Sequence, residues 1–132
     1  MSACLLDTDL LIAALDRRDL HHRRAAKILQ AMISEATPLS LSLVNYAEML
    51  VRPAENEQTL HLAIQPIAAL GIKPVAPTPE IARDAARYRA LNISLADGFA
   101  MATARALGVT VASFDRRGRR ALLHAELDQL RA

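Results

Sequence analysis

Two rhythms of apolar and polar positions run along this chain: short apolar runs, and longer segments whose apolar residues recur about every 3.6 positions. Ala3 to Leu6 is a short apolar run that stops at an acid, and Leu10 to Leu15 reads as a first helix. His21 to Ser34 places Ala25, Ile28, Leu29, Met32 and Ile33 on one face, which predicts an amphipathic helix. Pro38 to Leu41 reads as a second strand. Ser42 is a suitable cap for a helix from about Leu43 to Val51 that Pro53 stops. A further helix is expected from Glu57 to Leu70, ending at Gly71, and then a short strand over Ile72 to Ala76. Pro77 and Pro79 lead into a helix that buries Ile81, Ala85 and Tyr88. Ser94 opens the next helix, which runs to Leu107 and closes at Gly108. VTVAS, with Val109 and Val111, is the clearest strand, and its last residues abut Asp115. A last helix begins near Arg116, and the terminal LDQLRA is too short to assign. Strands separated by helices require parallel crossovers, so the expected fold is α/β, a three-layer α/β/α arrangement around a central parallel sheet.

Composition narrows the class. The 132 residues suit one domain spanning 1–132, and 52% hydrophobic positions are enough for a real core. Cys4 is the single cysteine, so no internal disulfide or thiolate zinc cluster can form, and a reducing cytoplasm is the expected compartment. The opening segment has no cationic n-region, and Asp7 and Asp9 interrupt its apolar stretch, which argues against an export signal. Acids or arginines break every apolar run before the ~20 residues that a membrane span needs. Net charge is only +2, but 14 of the 16 basic residues are Arg, the side chain better shaped for phosphate.

Chemistry enters with the acids. In an open parallel sheet, ligands sit outside the carboxyl ends of the strands, where Asp7 and Asp115 fall. Asp7 and Asp9 stand in apolar surroundings, Glu48 lies inside LVNYAEMLV, and Asp97 occupies the first turn of a helix of small and apolar residues. Each alone has a bland explanation: Asp97 completes a capping box with Ser94, and Asp115 caps the last helix. Together, four acids in apolar segments that meet at one sheet edge would repel and raise one another's pKa. A divalent cation resolves that conflict, and all-oxygen ligands suit Mg²⁺ or Mn²⁺. His21, His22, His61 and His124 follow no ligand spacing and are expected at the surface. Asn45 shares a helix face with Glu48 at i, i+3; it orients that carboxylate, contacts substrate, or simply faces water.

The blocks LLDTDLLIA, SLVNYAEML and ADGFAMATARALGVTVASFD resemble the PIN domain, specifically the VapC-like ribonuclease toxins of bacterial toxin–antitoxin pairs. The resemblance spans nearly the whole chain and implies a PIN-like fold and Mg²⁺- or Mn²⁺-dependent cleavage of structured RNA. It assigns Asp7, Glu48, Asp97 and Asp115 as the four catalytic, metal-holding acids. Ser113 matches the family's hydroxyl residue two places before the last acid. Asp9 stands where the family more often has Asn or Ser, so its role as extra ligand or outer support stays open.

DTDLLIAALD is also similar to the nucleophile motif of haloacid dehalogenase-like phosphatases, but Leu10 and Leu11 replace the usual Gly-Thr. Lys73-Pro74 resembles the late Lys-Pro of a receiver domain, yet it precedes Asp97 and Asp115, which is the wrong order. The remaining alternative is a PIN-like module that binds RNA or protein without cutting. Arg116 and Arg117, directly after Asp115 and followed by Arg119 and Arg120, are the expected phosphate contacts on RNA substrate. Arg17, Arg18, Arg23 and Arg24 form a second basic cluster that nothing in the sequence ties to the acids. Ala and Leu fill 47 positions, so the helices carry smooth apolar faces that predict a partner surface. A homodimer is the commonest such outcome, and the resemblance adds a cognate antitoxin that places a basic side chain among the acids.

Overall fold

A computed structural model describes residues 3–114 and 119–131. Four short strands, β1 (Cys4–Leu6), β2 (Leu39–Ser42), β3 (Lys73–Val75) and β4 (Thr110–Ala112), form one sheet in the order β3-β2-β1-β4. Every pairing is parallel; β1 holds the centre, with Leu5 opposite Ser40 of β2 and Val111 of β4. Helices α1 (Thr8–Leu15) and α2 (His22–Ser34) connect β1 to β2. Next come α3 (Leu43–Leu50), a short 3-10 turn (Pro53–Glu55) and α4 (Glu57–Ala69). Helices α5 (Pro79–Ala90) and α6 (Leu95–Leu107) then lead back to β4, and α7 (Arg119–Arg131) closes the chain.

Side chains alternate across a strand, so the two central leucines of β1 serve opposite faces. Leu6 packs with Leu10, Leu11, Ala25, Leu29 and Ile67 of α1, α2 and α4. Leu5 packs with Ala100 and Ala104 of α6. Both leucines are fully buried, and the result is the expected three-layer α/β/α fold around a parallel sheet. Beyond α6, Ile81, Tyr88, Ile93, Met101 and Leu127 make a second core among α5, α6 and α7.

Gly98 sets the closeness of α5 and α6: a Cβ there would stand 3.0 Å from the Ala85 carbonyl oxygen and 3.4 Å from Tyr88 Cβ. Gly108 closes α6 at φ 67°, a left-handed conformation that favours glycine. Polar contacts fasten α7. Asp84, buried in α5, accepts from Arg131 Nε at 2.9 Å and from Arg87 at 2.7 Å. Tyr88 and His124 share a hydrogen bond, and Arg105 pairs with Asp128.

The observed elements depart from the sequence reading in four respects. The chain after α3 does not simply stop at Pro53 but folds into a 3-10 turn. Leu127 to Arg131 belong to α7, where Leu127 packs into the second core and Arg131 donates to Asp84 of α5. Ser42 occupies the N-cap of α3, but its hydroxyl makes no capping bond. His22 and His124 are half-buried and not fully exposed: His22 Nδ1 lies 2.9 Å from the Ala13 carbonyl and His124 meets buried Tyr88. His21 and His61 are exposed. No helix among the described residues is long and apolar enough to cross a membrane.

Candidate metal centre

The chain leaves β1 toward β2 and β3 on one side and returns to β4 on the other, so the carboxyl ends of β1 and β4 form a switch point. Asp7 stands there. Its N–H donates to the Ala112 carbonyl at 2.9 Å, continuing the β1–β4 pairing by one residue. The side chain is 6% exposed and makes no capping bond to α1, so helix capping does not account for this carboxylate.

The other acids arrive from separate helices. Glu48 projects from the last turn of α3, and Asp97 from the first turn of α6, where its N–H donates to Ser94 Oγ at 3.2 Å. That bond is the Ser94 side of the expected capping box, while the Asp97 carboxylate is exposed. Asp9 is exposed in the first turn of α1. Partial desolvation pushes the Glu48 carboxyl above the usual glutamate range, and the charges of Asp97, Asp9 and Asp7 push it further. Three elements distant in sequence therefore bring four carboxylates within electrostatic reach of one another. Such an arrangement favours a cation at their centre.

The donor chemistry fits a hard ion. Among the described residues, three buried side-chain oxygens have no hydrogen-bond partner: Thr8 Oγ1, Ser42 Oγ and Asn45 Oδ1. Thr8 opens α1 after Asp7, Ser42 caps α3, and Asn45 lies in the first turn of α3, the helix that carries Glu48. An all-oxygen donor set of this kind suits Mg²⁺ or Mn²⁺ and the waters such ions retain, and does not suit zinc. No group of three His, Cys, Asp or Glu side chains among the described residues is tight enough to enclose an ion by itself.

Of the remaining sequence candidates, Ser113 follows β4 and is half-buried. Asn45 is 1% exposed and its Nδ2 donates to the Ala96 carbonyl at 3.1 Å, so it does not face water. Asp115, Arg116 and Arg117 lie outside the described residues.

The fold also connects residues that the sequence left unrelated. A cleft of about 710 Å³ runs from Glu48 along α3 to the start of α4, with Ile12, Asp16, Arg18, Arg52 and Asn56 in its walls. Arg18, from the second basic cluster, thereby shares a cleft with Glu48, its Nε donating to Asp16 at 3.4 Å. A smaller hollow of about 320 Å³ holds Asp9, Asp19, His21 and Phe114 and shares Ile12 with the cleft. Arg24 lies 5.3 Å from the centre of the Phe114 ring, which tilts against His21 with centroids 5.5 Å apart. No local signal announces these links, because the turn between α1 and α2 and the position of β4 create them.

The fold is similar to three solved structures. FitAcB from Neisseria gonorrhoeae is 23% identical with a TM-score of 0.65, and the match covers 91% of each chain. A toxin–antitoxin complex from Klebsiella pneumoniae is 22% identical with a TM-score of 0.63 over 89% of each chain. The Mycobacterium tuberculosis VapC20, a sarcin–ricin loop cleaving toxin, is 17% identical with a TM-score of 0.67, covering 91% of this chain and 94% of that one. No curated protein matches the sequence. The PIN domain family profile matches residues 4–121, from the central strand into the last helix. That span carries Asp7, Asp9, Glu48, Asp97 and Asp115 and displaces the dehalogenase and receiver readings: the chain belongs to the PIN domain family.

Proposed function

We propose that this protein is a metal-dependent endoribonuclease, the toxin of a toxin–antitoxin pair. The observation that carries the proposal is the convergence of Asp7, Glu48 and Asp97, from three separate elements, at the switch point of a parallel sheet, close enough that, beyond burial, the charges of Asp97 and Asp7 raise the Glu48 carboxyl. Asp7, Glu48, Asp97 and Asp115 would hold Mg²⁺ or Mn²⁺. The chemistry supplied by such an ion is activation of water and neutralisation of charge on the phosphate undergoing attack. The protein's own share is positioning. Asp7 is fixed by its backbone bond to Ala112, while Glu48 and Asp97 reach the same edge from α3 and α6.

Arg18 and Arg52 line the same cleft as Glu48 and would supply cations for RNA phosphates. Arg116 and Arg117, which follow Asp115 in sequence, are further candidates for phosphate contact. Ser113 would contact the substrate at the end of β4. Likeness to VapC20, a sarcin–ricin loop cleaving toxin, supports structured RNA as the substrate class. Likeness to a toxin–antitoxin complex supports an antitoxin as partner. A basic side chain from that partner would relieve the repulsion around Glu48 as a metal does, and so compete with it. Exposed Leu62, Leu95 and Leu107 provide apolar surface for a partner or a second copy.

The test is cleavage of structured RNA by purified protein. Cleavage is expected in Mg²⁺ or Mn²⁺, absent in excess EDTA, and abolished in Asp97→Asn, which keeps its fold. Cutting that persists in EDTA sinks the mechanism.

A further inference from the structure

We infer that Asn45 is a positioning residue whose buried amide ties α3 to α6 and so sets where Glu48 stands relative to Asp97. The inference rests on the metal-dependent reading above and assigns Asn45 to the frame of the site, not to substrate.

Three observations meet at this side chain. Asn45 is 1% exposed, so RNA has no access to it. Its Nδ2 donates to the Ala96 carbonyl at 3.1 Å, a bond that spans 51 positions of sequence. Each end adjoins an acid of the site: Asn45 is one helical turn before Glu48 on the same face of α3, and Ala96 immediately precedes Asp97 in α6. A carbonyl has two lone pairs, so Ala96 can accept from Asn45 as well as within its own helix. The amide orientation follows from the same fact, because a carbonyl only accepts and must face the NH₂ group.

Stability does not explain the residue. Asparagine is a poor helix former, and Asn45 Oδ1 is buried without a hydrogen-bond partner among the described residues. An apolar side chain would fill the site without stranding an acceptor. What it could not do is hold the first turn of α6 by a directed bond. The two carboxylates it spaces come from helices that no strand pairing registers against each other. Outer residues that orient metal-holding groups commonly change metal affinity by about 10- to 100-fold when removed.

The experiment compares wild type with Asn45→Val by titration with Mn²⁺, reading free ion by electron paramagnetic resonance, and by hydrogen exchange at the Asp97 and Gly98 amides. The variant is expected to stay folded, to bind Mn²⁺ about 10- to 100-fold more weakly, and to exchange those amides faster. Wild-type affinity together with wild-type exchange in the folded variant overturns the inference. A wild-type protein that binds no Mn²⁺ defeats the metal reading itself, and the exchange comparison then decides the role of Asn45 alone. Should Asn45→Val not fold, Asn45→Ala is judged on the same two readouts. If neither folds, Asn45 is a core residue and the positioning role is refuted.

Discussion

Gly98 offers a sharp test of how α6 is held, because its effect is the balance of two opposing quantities. Replacing glycine by alanine inside a helix ordinarily stabilises it by about 0.8–1 kcal/mol. Here the added methyl would lie 3.0 Å from the Ala85 carbonyl oxygen and 3.4 Å from both Ala85 Cα and Tyr88 Cβ. The nearest of these is helix backbone, and Ala85 and Tyr88 are fully buried, so neither neighbour can swing aside. Forcing a methyl into such a contact costs about 1–3 kcal/mol. The net expectation for Gly98→Ala is a loss of up to about 2 kcal/mol, or a melting temperature lower by as much as about 8 °C at about 4 °C per kcal/mol. Activity should suffer more than stability. Asp97 precedes Gly98, and pushing α6 off α5 moves that carboxylate with respect to Glu48. Thermal unfolding followed by circular dichroism gives the first number, and RNA cleavage well below the melting temperature gives the second. A variant as stable as wild type and fully active would show that the α5–α6 contact has slack and does not set Asp97.

Three further outcomes are expected. Because the Glu48 carboxyl lies above its ordinary value of 4.5, the folded metal-free protein loses stability as pH rises from that value through the raised one. In EDTA at neutral pH, Glu48→Gln should therefore melt slightly higher than wild type; the gain should vanish below pH 4.5 and Mn²⁺ should stabilise the variant less, so an unchanged pH profile refutes the repulsion. Arg131→Ala should cost about 1–3 kcal/mol by leaving buried Asp84 with Arg87 as its remaining cation among the described residues, and a melting temperature equal to wild type would show that α7 is fastened otherwise. Arg18→Ala combined with Arg52→Ala should flatten the salt dependence of RNA binding by about 0.7 in log–log slope per lost phosphate contact, whereas an unaltered slope removes both residues from the RNA path.

Local chemistry carried much of this protein in legible form. Helices α2 and α5 were readable because their apolar faces repeat at the helical period, and α6 because Ser94 and Gly108 mark its ends. The strands were readable as apolar runs between helix signals, although each is only three or four residues long. Asp7, Glu48 and Asp97 stood out because carboxylates in apolar segments demand a reason, and that demand is a property of composition along the chain. Other features had no local trace. The end of the chain up to Arg131 is held as helix by Leu127 in the second core and by Arg131 reaching Asp84 across 47 positions, and His124 is half-buried because it meets Tyr88 of α5. Sequence spacing left Asn45 facing carboxylate, substrate or water; the packing of α3 against α6 turned it inward onto Ala96. Arg18 shares a cleft with Glu48 only because the chain turns back after α1. Periodicity and capping act between neighbours within a few residues, so they are written in the sequence. Which helix lies against which, and therefore which acids share a field, depends on the order of parallel strands and the closeness that Gly98 permits, and those exist only once the chain has folded.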